Sequence, residues 1–134
     1  MEVIYKLSDN YIQDLHELYK SEWWTNKRSL AQTKKCVEGS QIVIGLVENN
    51  KLIGFVRVIT DYTFKALIFD LILKKEYRNK NLGQKLMHLI KKHEKLKDIA
   101  HFELYCLPEL IEFYKQFNFS EEIGGIKLLR CNNA

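Results

Sequence analysis

The feature that most constrains the fold is a repeated change in the spacing of the apolar residues. The segments 41–48, 51–60 and 66–73 are runs of apolar and β-branched residues, such as QIVIGLVE and ALIFDLIL, and they predict strands. From Leu82 onward the apolar residues recur at helical spacing with lysines between them, which predicts an amphipathic helix. A chain that alternates between these two patterns is expected to fold as a mixed α/β protein, with helices packed on a sheet.

The remaining elements follow from capping residues, turn residues and shorter apolar patterns. In chain order these are a strand at 2–7, a helix after Ser8, a helix from Ser29 to about Glu38, a hairpin turn at Asn49-Asn50, a strand at 101–106, a helix beginning at Pro108, and two short strands within 119–131. The predicted order is therefore β-α-α-β-β-β-α-β-α-β-β, in one domain that spans residues 1–134.

Composition narrows the class of protein. The chain has 134 residues, of which 46% are hydrophobic and 28% are charged, as in a single globular domain. No apolar run approaches the roughly 18–20 residues that cross a bilayer, and the first residues lack the apolar core of a secretory signal. The three cysteines are widely spaced and odd in number, which favours reduced thiols. We therefore expect a cytoplasmic protein with no membrane partner.

The net charge of +4 mildly favours anionic partners. Lysines between 85 and 97 raise the alternative of a nucleic-acid-binding domain. A solvated helix face explains these lysines equally well, and Glu94 and Asp98 interrupt the patch. Since no RNA-binding aromatic motif or zinc-ligand spacing accompanies them, we expect neither a nucleic-acid partner nor a bound metal.

The junction between the apolar strand ending at Leu73 and the helix from Leu82 is the most informative segment. A loop of Asn, Lys and Gly residues leads from the strand into the helix, and Arg78, Lys80 and Lys85 add positive charge. The N–H groups at a helix N-terminus bind phosphates well, so this segment is a candidate phosphate site. Spacing alone leaves open the alternative of a solvated polar loop.

Four segments together resemble the GNAT superfamily of N-acyltransferases. Residues 78–83 resemble its Arg/Gln-x-x-Gly-x-Gly/Ala loop, and residues 113–119 resemble its Phe-Tyr-x-x-x-Gly-Phe ending. Residues 54–61 are similar to the Gly-Phe-x-Arg strand of one small bacterial group, which also has a Trp-Trp segment like residues 23–24. The four segments occur in order and on compatible elements, so the chain is identified as resembling this superfamily.

Three asparagines stand where the superfamily has glycine, namely Asn79, Asn81 and Asn118. Asn is the non-glycine residue that most readily adopts a left-handed backbone conformation. We therefore predict that the first two preserve the shape of the loop, because a site built from backbone N–H groups requires the conformation and not the missing side chain.

The resemblance implies a GNAT-like fold, in which a mixed and mostly antiparallel sheet splays apart at the site of acetyl-CoA. It also implies that the backbone of the strand before the loop pairs with the pantetheine amides of this co-substrate, and that the loop binds its pyrophosphate. The implied contacts are Leu71, Ile72 and Leu73 on the strand, and Arg78, Asn79, Lys80, Asn81, Leu82, Gly83 and Gln84 on the loop.

Two residues are candidates for the chemistry. By resemblance, Tyr114 is the general acid that protonates the departing thiolate, although an apolar stripe on the same helix leaves the alternative of a core aromatic. Asp70 is an acid within an apolar strand, on the face opposite Leu71 and Leu73. It could act as a base through water or bind a substrate cation, and the alternative is a structural ion pair with Arg57.

Two other positions have lesser candidate roles. Trp23 and Trp24 lie where the superfamily places the wall of its acceptor site, and one of the two is expected in the core instead. An acyl relay through Cys106 is conceivable, but the residue type at a strand end favours a buried structural thiol.

The resemblance therefore implies an acetyl-CoA-dependent N-acetyltransferase that transfers an acetyl group directly to a primary amine of a small molecule or peptide. The alternative is a non-catalytic sensor that binds acyl-CoA on the same fold, because the asparagines in the loop could mark a weakened site. The predicted strands within 119–131 could mediate a homodimer.

Overall fold

A computed structural model describes residues 1–133, in which four helices pack on one five-stranded sheet with the strand order β1-β2-β3-β4-β5. Neighbouring strands are antiparallel except for β4 and β5, which run parallel. The elements are β1 (Glu2–Ile4), α1 (Asp9–Lys20), α2 (Leu30–Glu38), β2 (Ile42–Glu48), β3 (Lys51–Thr60), β4 (Lys65–Leu73), α3 (Leu82–Lys91), β5 (His101–Leu104) and α4 (Ile111–Lys115). The predicted mixed α/β class is confirmed, as is the mostly antiparallel sheet.

Capping and turn residues act as the sequence predicts. The Ser8 side chain caps α1, and Ser29 and Gln32 form a reciprocal capping box at the start of α2. Asn49 and Asn50 connect β2 to β3 with φ angles of 51° and 61°, which suit the twist of a two-residue hairpin.

Each face of the sheet buries its own apolar cluster. On one face α1 and α2 pack over Phe55 and Ile72, and the fully buried Leu15 and Tyr19 fill the space between them. On the other face α3 and α4 cover the cluster that contains Leu86, Met87, Ile90, Tyr114 and Phe117. Helices therefore cover both faces of the sheet, with α1 on one side and α4 on the other.

The sheet splays between β4 and β5. The two strands pair only from Lys65 with His101 to Ile68 with Leu104, whereas β4 continues to Leu73. At the same level Asp70 has a φ of 58° and the register between β3 and β4 shifts, so β4 carries a bulge. The bulge bends β4 away from β5, and the backbone edge of its last residues is left open.

The C-terminal prediction is wrong: residues 119–131 form no strand. Gly124 and Gly125 have φ angles of 72° and 78° and turn the chain, while Ile126 and Leu129 after them are exposed. Within the described residues β5 is the edge of the sheet, so this segment has no strand partner there. The strands on which a homodimer prediction depended are therefore absent, and the oligomeric state stays a prediction.

Other element boundaries also differ from the sequence prediction. β5 ends at Leu104 and not at residue 106, and Pro108–Leu110 form a short 3₁₀ helix before α4 begins at Ile111. The first strand ends at Ile4, and α3 ends at Lys91, so that His93 and Leu96 lie beyond the helix to which their spacing assigned them. Leu96 is nevertheless fully buried, because the turn after α3 brings it back to the core. No helix among residues 1–133 is long and apolar enough to cross a membrane.

Candidate active site

The splay between β4 and β5 opens into two adjoining cavities. The first, of about 630 Å³, is lined by the end of β4 and the segment 78–84, and we call it the loop cavity. The second, of about 870 Å³, is lined by Trp23, Trp24 and the ends of β4 and β5, and we call it the tryptophan cavity. The residues that line both are Trp24, Leu71, Leu110 and Tyr114.

Main-chain geometry shapes the loop cavity. Asn79 and Asn81 have φ angles of 61° and 62°, so the prediction that they adopt the left-handed conformation is confirmed. The first backbone bond of α3 is donated by the Lys85 N–H to the Asn81 carbonyl at 3.1 Å. The N–H groups of residues 82–84 precede that bond and lie at the positive end of the helix dipole, where an anion is stabilised.

Gly83 has no side chain, so a ligand can approach the backbone closely at the start of α3. A Cβ atom there would lie 3.2 Å from Cζ of Phe113, so the position has almost no room for a side chain on that side. Gly83 is buried in the first turn of α3 and lines the loop cavity. A larger or charged residue at this position would therefore intrude on the space that the loop encloses.

Arg78 and Lys80 differ from the other predicted loop residues in how they are placed relative to the loop cavity. The backbone N–H of Arg78 already donates to the Lys75 carbonyl at 3.3 Å, and its guanidinium is paired with Glu22 at the rim of the loop cavity. The Lys80 ammonium lies 5.5 Å from the ring centre of Tyr77, and Lys80 does not line the cavity. Any contact of Arg78 with a ligand would come from its side chain.

The end of β4 combines a packed side with an open edge. Ile72 packs toward α1, while Leu71 and Leu73 pack toward α3, as strand alternation predicts. Gly54 lies opposite Leu73 in the sheet, and a Cβ at Gly54 would lie 2.8 Å from Cδ2 of Leu73. Residues 71–73 lie beyond the last pairing with β5, so their backbone faces the loop cavity.

Tyr114 lies on α4, where the two cavities meet. Its side chain is 9% exposed, and its ring contacts Phe113 and Phe119 edge-on at centroid distances of 5.0 Å and 5.9 Å. Burial raises the pKa of the Tyr114 phenol to about 12, with a smaller contribution from the neighbouring Cys106. The hydroxyl is therefore protonated at neutral pH, and Tyr114 is both a core aromatic and a candidate proton donor.

Asp70 is held by three side chains. Its carboxylate accepts hydrogen bonds from Arg28 Nη1 at 2.6 Å, Arg57 Nε at 2.7 Å and the Tyr19 hydroxyl at 2.9 Å. Burial pushes the pKa of Asp70 upward, but the hydrogen bonds and charges of the two arginines outweigh it, and the pKa lies below its ordinary value. The ion pair with Arg57, which the sequence left as an alternative, is observed.

A carboxylate that is ionised and saturated with donors is a poor proton acceptor. We therefore expect Asp70 to position its neighbours and not to act as the base. Sequence reasoning missed Arg28 and Tyr19 as its partners, because they lie 42 and 51 residues away along the chain and no local pattern marks the contact.

The family model described as "Acetyltransferase (GNAT) family" matches residues 9–119. The chain belongs to the GNAT acetyltransferase family. The uncharacterized N-acetyltransferase ycf52 of Gracilaria tenuistipitata var. liui is 34% identical over 128 residues, which cover 90% of this chain and 70% of that protein. The relatives and the family together show that the chain is an acetyltransferase.

Solved structures share the fold. A probable acetyltransferase from meticillin-resistant Staphylococcus aureus has a TM-score of 0.79 at 19% identity, covering 98% of this chain and 99% of that one. An aminoglycoside 6'-N-acetyltransferase solved with coenzyme A has a TM-score of 0.67 at 16% identity, covering 78% of this chain and 61% of that one. At these identities the likeness shows the GNAT fold, and the predicted fold class is confirmed.

The loop cavity fits the co-substrate of the GNAT family, acetyl-CoA. A pyrophosphate needs N–H donors and a backbone that it can approach closely. The start of α3 provides the donors, and Gly83 permits the approach. A chain of amides needs an open strand edge, which Leu71–Leu73 provide. The individual contacts of these residues and of segment 78–84 stay predictions.

The tryptophan cavity of this GNAT domain has aromatic walls and cationic side chains. Trp23 and Trp24 are 70% and 40% exposed, so neither is in the core, contrary to the expectation for one of them. Cys106 is exposed at the cavity edge, and the prediction of a buried thiol is wrong because β5 ends before it. Three cationic residues that the sequence analysis did not single out also line this cavity: Lys27, Arg28 and Arg130.

No group of three or more His, Cys, Asp or Glu residues within 1–133 is arranged to hold a metal ion. Asp61, the acid at the end of segment 54–61, accepts hydrogen bonds from the backbone N–H groups of Thr63, Phe64 and Lys65. It thus shapes the turn between β3 and β4.

Proposed function

We propose that this GNAT domain transfers the acetyl group of acetyl-CoA directly to a primary amine. The observation that carries the proposal is the position of Tyr114, whose side chain lines both cavities. In this arrangement the loop cavity takes acetyl-CoA, the tryptophan cavity takes the amine, and the reacting atoms meet beside the Tyr114 hydroxyl.

The main chain would place the thioester. The open edge of Leu71–Leu73 would pair with the pantetheine amides as an added strand does. The N–H groups of residues 82–84 would bind the pyrophosphate, and Arg78 would exchange part of its contact with Glu22 for that anion. The pantetheine arm and the pyrophosphate are then both fixed, which holds the acetyl group near Leu71 and Tyr114.

The transfer needs one bond to form and one to break. The amine nitrogen bonds to the carbonyl carbon of the thioester, and the carbon–sulfur bond breaks. Tyr114 donates its proton to the departing sulfur, which its raised pKa of about 12 permits because the phenol is still protonated at neutral pH. The ammonium group of the acceptor loses one proton to water in the exposed tryptophan cavity before the attack, and its nitrogen loses a second proton after the attack. Water returns a proton to the Tyr114 phenolate, which restores the enzyme. The Asp70 carboxylate takes no part in these transfers because it is held by Arg28 and Arg57.

The alternative of a non-catalytic sensor is not favoured. A sensor needs only the loop cavity, whereas this chain also has a larger second cavity that reaches the same tyrosine. The asparagines that motivated the sensor hypothesis hold the left-handed conformation that the loop requires.

The test measures binding and turnover separately. The Tm of the protein is recorded with coenzyme A and with acetyl-CoA, and thiol release is then followed with a panel of primary amines. Mass spectrometry of the acetylated amine distinguishes transfer from simple hydrolysis. We expect a raised Tm and amine-dependent thiol release. A protein that binds the co-substrate but acetylates no amine would overturn the proposal.

A further inference from the structure

The ionisable side chains that line the tryptophan cavity are mostly cationic. Lys27, Arg28 and Arg130 line it, and Asp70 is the one acidic residue among the described residues of its lining. The charges that line the loop cavity are balanced differently, because Arg78 there is paired with Glu22. The tryptophan cavity therefore carries an excess of positive charge.

The floor of the cavity adds to this excess. Asp70 accepts hydrogen bonds from both Arg28 and Arg57, so one carboxylate faces two guanidinium groups and the cluster keeps one positive charge. The side chains of Asp70 and Arg57 are only 5% and 12% exposed, and that of Arg28 is 30% exposed. Charge that is partly removed from water is weakly screened, so its field reaches into the cavity.

A cationic cavity opposes the binding of an amine that carries only positive charge. An amine is mostly protonated in neutral solution, and a second ammonium group on the same molecule would add to the repulsion. An anionic group on the acceptor reverses the sign of the interaction, because it can pair with Lys27 or Arg130 while the amine approaches Tyr114. The indole rings of Trp23 and Trp24 offer an apolar surface to the body of such a molecule.

We propose that the acceptor is a primary amine that also carries an anionic group, a carboxylate or a phosphate. This inference rests on the proposed function, since it names the class of acceptor for the same site. It disfavours polyamines and other polycations as preferred substrates. The anionic group binds at the mouth of the tryptophan cavity, beside Lys27 and Arg130.

The test compares related acceptors that differ chiefly in whether they carry an anionic group. Phenylalanine, phenylalaninamide and 2-phenylethylamine share one aromatic body, and the first alone carries a carboxylate. Phosphoethanolamine and ethanolamine form the matching pair for phosphate, and putrescine represents the polycations. We expect kcat/KM to be about tenfold or more higher for the anionic member of at least one pair. The better of the two anionic acceptors identifies the source of the charge, and the preference should shrink at high salt.

Binding is measured beside turnover, so that the two proposals fail separately. Each amine is added to the protein with coenzyme A, and the further rise in Tm is recorded. An amine with an anionic group that raises Tm more than its partner without that group, yet is never acetylated, would sustain this inference and overturn the proposed function. Amines without an anionic group, putrescine included, that bind and react as well as the amines that carry one would overturn this inference and leave the function standing.

A pair of variants assigns the effect to the cavity. The double variant Lys27→Gln, Arg130→Gln should reduce the preference for the acceptor with the anionic group by about tenfold, mainly through KM. The same variant should bind the acceptor without that group somewhat better, because two of the charges that repel its ammonium group are gone. The matched control is Lys95→Gln, Lys97→Gln, which removes the same charge from residues that line neither cavity. An equal loss in both double variants would show a general effect of net charge and overturn the proposed site.

Discussion

The two cavities on either side of Tyr114 are built in different ways. The loop cavity is shaped by backbone, through the open edge of β4, the left-handed asparagines and the first N–H groups of α3. The tryptophan cavity is shaped by side chains that come from distant parts of the chain, such as Trp23, Tyr105 and Arg130. A site built from backbone groups tolerates substitutions that keep its dihedral angles. The ligand that a site built from side chains binds depends on which residues line it.

This difference explains how two such regions can belong to one enzyme. A co-substrate that stays the same can be held by main-chain groups, which every sequence supplies once the loop has the required conformation. An acceptor is recognised by charge and shape, which only side chains can vary. Tyr114 lies between the two regions, so it should affect the chemical step without affecting either binding step.

The largest expected effect follows from that position. Tyr114→Phe removes the hydroxyl and keeps the ring against Phe113 and Phe119. We expect turnover to fall ~10²–10⁴-fold, equivalent to about 3–5 kcal/mol of barrier, because the thiolate loses its proton donor. Affinity for acetyl-CoA, measured by thermal shift, should hardly change. Tyr62→Phe is the matched control, since Tyr62 is exposed and lines neither cavity.

The pH profile sharpens the same prediction. An ordinary tyrosine loses its proton near 10.0, whereas burial raises the pKa of Tyr114 to about 12. Turnover of the wild type should therefore persist above pH 10.0 and fall only when the phenol ionises. Near-normal turnover of Tyr114→Phe at neutral pH would contradict the assignment and point to water or Cys106 as the donor.

The second effect tests whether Asp70 is structural. Asp70→Asn leaves Arg28 and Arg57 as two uncompensated charges, and we expect the free energy of unfolding to fall by about 3–5 kcal/mol in denaturant titrations. Asp98→Asn, at an exposed aspartate, should have little effect. If Asp70 were the catalytic base, the variant would also lose most of its turnover under conditions in which it is still folded.

The pH dependence of stability has a definite sign for Asp70. Its pKa in the folded protein lies below the ordinary 3.8, so the carboxylate binds its proton more readily after unfolding. The stabilisation is fully present above pH 3.8 and is lost as the pH falls through the folded pKa. Unfolding measured against pH should show this acid-side loss in the wild type and not in Asp70→Asn.

The third effect concerns the loop cavity alone. Gly83→Glu places a carboxylate where the pyrophosphate is expected and a Cβ 3.2 Å from Phe113, so the rise in Tm with coenzyme A should disappear. At a ligand concentration one hundred times Kd, that rise corresponds to about 2.7 kcal/mol. Gly83→Ala is the matched control. It should keep most of the rise in Tm with coenzyme A, because a shift of the Phe113 side chain by a few tenths of an ångström makes room for the methyl group. A full rise in Gly83→Glu would remove the loop from the co-substrate site.

The difference between the cavities also explains what could be predicted from the sequence. The strands β1 to β5, the helices and the left-handed backbone of Asn79 and Asn81 were predictable because their signals are local, such as the apolar runs, the cap at Ser29 and the asparagines in turns. The contact of Asp70 with Arg28 joins residues 42 positions apart, and only the fold brings them together. Segment 119–131 has strand-like composition but no strand to pair with, which a local pattern cannot reveal.

The smallest effect tests the statement that the loop cavity depends on backbone angles. Asn81 has a φ of 62° at the start of α3 and makes no side-chain cap hydrogen bond there, so its contribution is its conformation. Asn81→Gly should keep or strengthen the binding of coenzyme A, because glycine adopts this angle without cost. Asn81→Val should weaken binding about tenfold, since the left-handed conformation costs roughly 1–2 kcal/mol for such a residue.

The hairpin offers a matched control for this last comparison. Asn50 has a φ of 61° and lies in the turn between β2 and β3, away from both cavities. Asn50→Gly and Asn50→Val should differ in the free energy of unfolding by about the same 1–2 kcal/mol, yet bind coenzyme A equally well in titration calorimetry. If the Gly and Val variants at Asn81 also bound equally, the loop would not depend on that angle, and the contrast between a backbone-built and a side-chain-built cavity would be wrong for this enzyme.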